Sequence, residues 1–132
     1  MKGRMLVLLA VFSVLFMMMP VVSARHKNES KVDKILYVPL DNRPIADKQT
    51  TEAIQKLGYQ VVVPPENMLG DRQNLGNPDE LWTWIEKNAP DADAAVVSAD
   101  SMLYGSLVGS RKHEYSKQEI LSRAEKFQTF RK

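Results

Sequence analysis

Three short, apolar, β-branched runs alternate with three segments of helical period between residues 35 and 132, and this alternation constrains the fold more than any other feature. The first run covers residues 35–40, with Pro39 marking where a hydrogen-bonded ladder must end. Residues 46–57 then place Ala46, Thr50, Ala53, Ile54 and Leu57 on one helical face, and Gly58 follows as a left-handed stop. The second run, residues 60–63, is closed by Pro64 and Pro65. Asn77 is placed to cap a second helix, with Pro78 at its first position and Glu80 where a capping box takes an acid. Leu81, Trp84 and Ile85 form its apolar stripe, which leaves Trp82 facing a neighbour outside that core. The third run, residues 94–97, is apolar on both faces, as in a parallel strand covered by helices. A second capping box, Ser116 to Glu119, opens a helix whose inner face is Ile120, Ala124 and Phe127.

Strand–helix–strand order predicts an α/β fold: a parallel sheet of about three strands joined by right-handed crossovers. Three strands leave two edges unpaired. Residues 35–132 are therefore expected to be a partial α/β domain, a truncated product, a fragment or one half of an assembly, with the larger fold doubly wound or barrel-like.

The region before the alternation has a different character. Lys2 and Arg4 precede an apolar run over residues 5–19, Pro20 breaks it, and Val22, Ser23 and Ala24 are small residues suited to a peptidase. A basic start, a short apolar stretch and a small-residue exit define a secretory signal. The stretch is shorter than the roughly 20 residues of a spanning helix. Residues 1–24 are thus expected to be a signal peptide and residues 25–34 a polar tether. The protein is then secreted or associated with the cell envelope, and meets a membrane only through an uncleaved leader.

The leader carries the charge excess. The chain has 18 basic and 16 acidic side chains, and without Lys2 and Arg4 the two balance. A neutral remainder excludes nucleic acid as an expected partner. Cysteine is absent, which excludes both a disulfide scaffold and a thiolate metal site.

Parallel α/β folds bind ligands outside the carboxyl ends of their strands. Three loops qualify: residues 41–44, 64–72, and 98–105 continuing to 113. All three are crowded with ionisable groups, whereas the opposite loops, 57–59 and 89–93, are plainer. Several stretches here resemble, in order, the opening of a bacterial family, domain-of-unknown-function family 4127. They are Tyr37-Val38-Pro39-Leu40-Asp41-Asn42-Arg43-Pro44, Val63-Pro64-Pro65, Leu69-Gly70-Asp71-Arg72, Ser98-Ala99-Asp100-Ser101-Met102-Leu103-Tyr104-Gly105 and Ser110-Arg111-Lys112-His113. The resemblance implies a longer protein of which this chain is the N-terminal portion, and it implies no activity. The chain departs from the pattern at Ser106, where a second glycine is expected, which argues against close backbone approach there.

Asp41 and Asp100 are the acid–base candidates, since glycoside hydrolysis needs two carboxyl groups in different environments. The plain alternative has Asp41 capping its turn and Asp100 paired to an arginine. Arg43, Arg72 and Arg111 supply one guanidinium to each loop, a planar fork suited to carboxylate or phosphate. The alternative is a structural set of pairs: Asp41 with Arg43, Asp71 with Arg72, Asp100 with Arg111. Asn42, Tyr104 and His113 complete the candidate substrate-binding set, although a tyrosine of this kind also serves as packing. A metal site of Asp41, Asp100 and His113 has tolerable chemistry but no spacing motif, and neither metal nor cofactor is expected. The expected function is hydrolysis of carbohydrate or cell-envelope material. The alternatives are a non-catalytic module binding an anionic ligand, small molecule or glycan, and an inactive truncated fragment.

Overall fold

Parallel pairing of the three apolar runs organises the structure, a computed structural model that describes residues 32–130. The expected signal peptide and most of the expected tether lie outside the described residues. The strands are β1 (Lys34–Val38), β2 (Gln60–Val62) and β3 (Ala94–Val97). They form one sheet in the order β2-β1-β3. Both pairings are parallel: Ile35 lies opposite Val61 on one side and Ala94 on the other.

Between the strands run α1 (Lys48–Lys56) and α2 (Pro78–Asn88). After β3 come two short helices, α3 (Ala99–Tyr104) and α4 (Gly109–Lys112), then the longer α5 (Lys117–Phe130). The chain steps from β1 to β2 in one direction, then passes back over β1 to place β3 on its far side. Such a reversal around the first strand is the doubly wound arrangement. The crossovers use opposite faces of the sheet. On one face Leu36 and Val38 are buried against Leu81, Trp82, Ile85 and Met102. Toward the other, the Tyr37 hydroxyl donates to the carbonyl of Ala46, just ahead of α1, at 2.6 Å.

Helix α2 starts as expected. The Asn77 side chain accepts from the backbone N–H groups of Asp79 and Glu80 at 3.1 and 3.2 Å, with Pro78 in the first turn. Its buried face is Pro78, Leu81, Trp82 and Ile85, one continuous i, i+3, i+4, i+7 stripe. The expected roles of the two tryptophans are therefore corrected: Trp82 is the core residue and Trp84 is half-buried. The neighbour that covers Trp82 is α5, whose Phe127 meets the indole edge-on with ring centroids 4.8 Å apart. The indole N–H donates to the carbonyl of Met102 at 3.0 Å, so the ring is buried with its polar edge satisfied.

The capping box at the start of α5 closes in both directions. The Ser116 N–H donates to Glu119 Oε2 at 2.7 Å, and the Glu119 N–H donates to Ser116 Oγ at 3.3 Å. Farther along, Arg123 is buried. Its guanidinium forms two bonds to the Asp79 carboxylate, at 3.0 and 2.9 Å, and one to the Leu103 carbonyl at 3.0 Å. One side chain thus fastens α5 to both α2 and α3.

Two elements differ from expectation. Residues 98–113, read as an extended site loop, fold into α3 and α4 around Gly105, whose φ is +91°. Strand β3, read as covered on both faces, leaves Val96 54% exposed. As the edge strand on the side away from α1, it has no helix over that face among the described residues. No helix of the described residues is long and apolar enough to cross a membrane.

Candidate functional site

All three strands point the same way, so the segments that follow Val38, Val62 and Val97 share one edge of the sheet. Hydrogen bonds tie these segments into a rim. The Asn42 N–H donates to the Gly70 carbonyl at 3.0 Å. The buried Ser101 hydroxyl bonds to the carbonyls of Pro39 and Leu40, at 2.7 and 2.9 Å. A doubly wound sheet binds ligands where its strand order reverses, here between β1 and β3. Ser101 bridges that position, and the open space lies on the β1–β2 side.

Glycine makes the close approach possible. An added Cβ at Gly70 would sit 2.5 Å from Ser106 Cβ, one at Gly76 would sit 2.4 Å from the Gly105 carbonyl oxygen, and one at Gly105 would sit 2.2 Å from that of Leu75. Ser106 is itself buried and accepts from the Gly109 N–H at 3.0 Å. Ser106, which argued against close backbone approach, accommodates it: the contact forms, with glycine on the facing segment and a small hydroxyl residue completing it.

The resulting cleft has a volume of about 280 Å³ and is lined by Asn42, Arg43 and Pro44 on one wall and Asp71, Arg72 and Gln73 on the other. Beneath it Asp41 is buried, 2% exposed. Both its oxygens accept from Arg43 Nε at 2.9 Å, and Oδ2 lies 2.8 Å from Arg43 Nη2. Asp41 Oδ1 also accepts the Arg43 backbone N–H at 3.1 Å. The hydrogen bond to Asp41 raises the Arg43 pKa above its ordinary value, with their charge attraction acting in the same direction. One edge of the guanidinium is thereby fixed, and its other edge, Nη1 with the second hydrogen of Nη2, has no partner among the described residues.

Asp71 does not pair with Arg72 as the structural alternative supposed. Its Oδ1 accepts the backbone N–H groups of Gln73 and Asn74, each at 2.6 Å, and its Oδ2 accepts the Asn74 amide at 2.8 Å. Those bonds, Asn74's backbone N–H first, hold the Asp71 carboxyl below the usual range. The turn aims Arg72 outward, where it is exposed and has no hydrogen bond or ion pair among the described residues. The Asp-x-Gln-Asn spacing is the signal from which the roles of Asp71 and Gln73 were readable, because aspartate commonly bonds to backbone two and three residues on.

The other candidates lie elsewhere on the rim. Asp100 is half-buried in the first turn of α3. It forms no ion pair with Arg111, and its carboxylate has no partner among the described residues. Arg111 is exposed on α4. Tyr104 and His113 stack with centroids 4.8 Å apart, and His113 stacks in turn on Tyr115 at 5.8 Å. The Arg123 guanidinium lies over the Tyr115 ring, 4.0 Å from its centroid. Tyr104 and His113 thus belong to an aromatic pile that packs α3, α4 and α5, and neither lines the cleft. His113 Nδ1 is buried without a hydrogen-bond partner among the described residues. No group of three His, Cys, Asp or Glu among the described residues is placed to hold a metal ion.

A second depression, about 530 Å³, lies at the amino-terminal end of β3, lined by Leu36, Ala92, Ala94, Ala95 and Phe130 among others. Of its two acids, Glu86 and Asp93, Asp93 accepts the N–H groups of Lys34 and Asp33 at 2.8 and 3.0 Å. That carboxylate staples β1 to β3. Larger size does not make this depression the better site, since it sits at the edge where parallel sheets do not bind ligands.

Fold and rim together define a doubly wound α/β unit with a small, arginine-bearing cleft at the carboxyl edge of its sheet. The family model described as "Protein of unknown function (DUF4127)" matches residues 35–132, and the chain belongs to that family. No curated protein and no solved structure matches it.

Proposed function

We propose that this chain belongs to an exported protein that holds a small anionic ligand, derived from glycan or cell-envelope material, at the carboxyl edge of its sheet. One observation carries the reading. Two loops tied at Asn42 and Gly70 enclose a cleft in which Arg43, set in place by buried Asp41, faces the side of exposed Arg72. A fixed fork costs less ordering on binding than a free one. Export rests on the leader-like residues 1–24.

Binding ranks ahead of hydrolysis because both Asp41 oxygens are engaged by Arg43, which makes Asp41 a positioning residue. The hydrolytic reading keeps one specific support, the unpartnered carboxylate of Asp100 on the same rim. Turnover of a glycoside panel by the chain and by its Asp100→Asn form separates the two. Binding without turnover in both forms supports the binding module. Turnover that Asp100→Asn abolishes while binding persists supports the hydrolase.

A further inference from the structure

We infer that the cleft between residues 42–44 and 71–73 is built for a carboxylated sugar, a single uronate-like ring, rather than for phosphate. The inference rests on the reading above and specifies the ligand of that same site.

Charge balance is the first argument. Arg43 and Arg72 bring two positive charges, and Asp41 and Asp71 bring two negative ones. The hydrogen bonds on Asp71 from Gln73 and Asn74 keep it ionised at neutral pH. A phosphate, close to dianionic at neutral pH, would meet no net positive charge here. A singly charged carboxylate gives up less hydration than a dianion on entering a site whose own charges cancel.

The geometry of Arg43 is the second argument. Its Nε and one hydrogen of Nη2 are taken by Asp41, so the outer edge, Nη1 with the second hydrogen of Nη2, stays free, and Arg72 supplies a second guanidinium. A free guanidinium edge matches the two coplanar oxygens of a carboxylate in a side-by-side pair. Asn42 and Gln73 add side-chain amides, which both donate and accept and so suit ring hydroxyls. Pro44, exposed on one wall, offers an apolar surface to a ring's C–H face.

Size is the third. Ligand pockets commonly run from about 300 to 1,000 Å³, and a cleft of about 280 Å³ takes one ring at a time.

The test is titration of the isotopically labelled full chain with sodium glucuronate, glucose and inorganic phosphate, followed by the side-chain amide signals of Asn42 and Gln73. Glucuronate is expected to shift both signals saturably, with affinity at least about tenfold above glucose and above phosphate, a gap of about 1.4 kcal/mol. Arg72→Gln, at an exposed position that leaves folding intact, is expected to remove that advantage over glucose, and Arg72→Lys to restore part of it. Equal affinity for glucuronate and glucose, or tighter binding of phosphate, with shifts still confined to the cleft, overturns the carboxylate assignment and leaves the strand-end site standing. Absence of shifts at Asn42 and Gln73 with all three probes overturns both.

Discussion

Replacing Gly105 by alanine probes the packing that draws the rim together, and Gly58 supplies an internal control. Both glycines have positive φ, +91° and +94°. Alanine at either position meets the same conformational penalty, about 1–2 kcal/mol for a left-handed residue. Their surroundings differ. A Cβ at Gly58 has nothing within 4 Å, whereas one at Gly105 lies 2.2 Å from the Leu75 carbonyl oxygen and 3.0 Å from the backbone of Gly76. Backbone cannot swing aside as a long side chain can, so Gly105→Ala carries a further overpacking cost of about 1–3 kcal/mol. For a domain of this size each kcal/mol moves the midpoint by about 4–8 °C. Gly105→Ala is therefore expected to melt about 4–24 °C below Gly58→Ala in thermal denaturation followed by circular dichroism. Equal midpoints for the two variants would refute the proposed contact between residues 70–76 and 105–106.

Three other outcomes follow from the packing. Trp82→Ala should cost about 3–5 kcal/mol in urea denaturation, as for other buried aromatics, and Trp84→Ala clearly less; the reverse order would restore the tryptophan assignment that the structure corrects. Asp79→Ala should cost more than Arg123→Leu. Removing the carboxylate leaves the buried Arg123 guanidinium unpaired, about 3–5 kcal/mol, while Arg123→Leu removes the buried charge itself, leaves Asp79 68% exposed and strips one donor from the Leu103 carbonyl, about 1–3 kcal/mol; the reverse order would contradict this. Asp93 is held below the usual carboxylate range by the N–H groups of Lys34 and then Asp33, and Asp79 by Arg123. Depressed folded-state values give stability that is full above the unfolded value of about 3.9 and is lost as pH falls through the folded one. Acid titration of the melting midpoint should show that loss below about pH 4, and Asp93→Asn should flatten it; an unchanged acid limb would exclude the Asp93 staple as its source.

The strands were legible because β-branched runs bounded by proline and glycine have few other uses, and parallel direction followed from the helices between them. Helix α2 was legible from its cap, but its phase was not. Reading the stripe from Leu81 forward selects Trp84, whereas starting it at Pro78 selects Trp82. Helices α3 and α4 escaped because four to six residues are too few to show a period. They persist through tertiary bonds: Ser98 caps α3, Ser101 holds the β1 loop, and Gly105 turns the chain. Arg123 escaped because a charge between Ile120 and Phe127 reads as solvated, and only the partners Asp79 and Leu103 make its burial tolerable.

Of the candidate site, the loops and the Asp41–Arg43 pair were readable from spacing alone. The separation of Tyr104 and His113 from the cleft was not, since it depends on how α3, α4 and α5 stack. That Asp100 stays free was equally hidden, whereas the turn that takes up Asp71 was readable from its Asp-x-Gln-Asn spacing. Asp71 is consumed by its own turn and Asp100 is not, a distinction set by backbone geometry.

Everything at the rim depends on β1 lying between two parallel neighbours. Inter-strand backbone NOEs decide this directly. Contacts of β1 with both flanking strands are expected in parallel register, with Leu36 near Val62 on one side and near Ala95 on the other, and none between β2 and β3. Antiparallel cross-strand patterns, or contacts joining Val62 to Val97 as neighbours, would contradict it and separate the cleft's two walls.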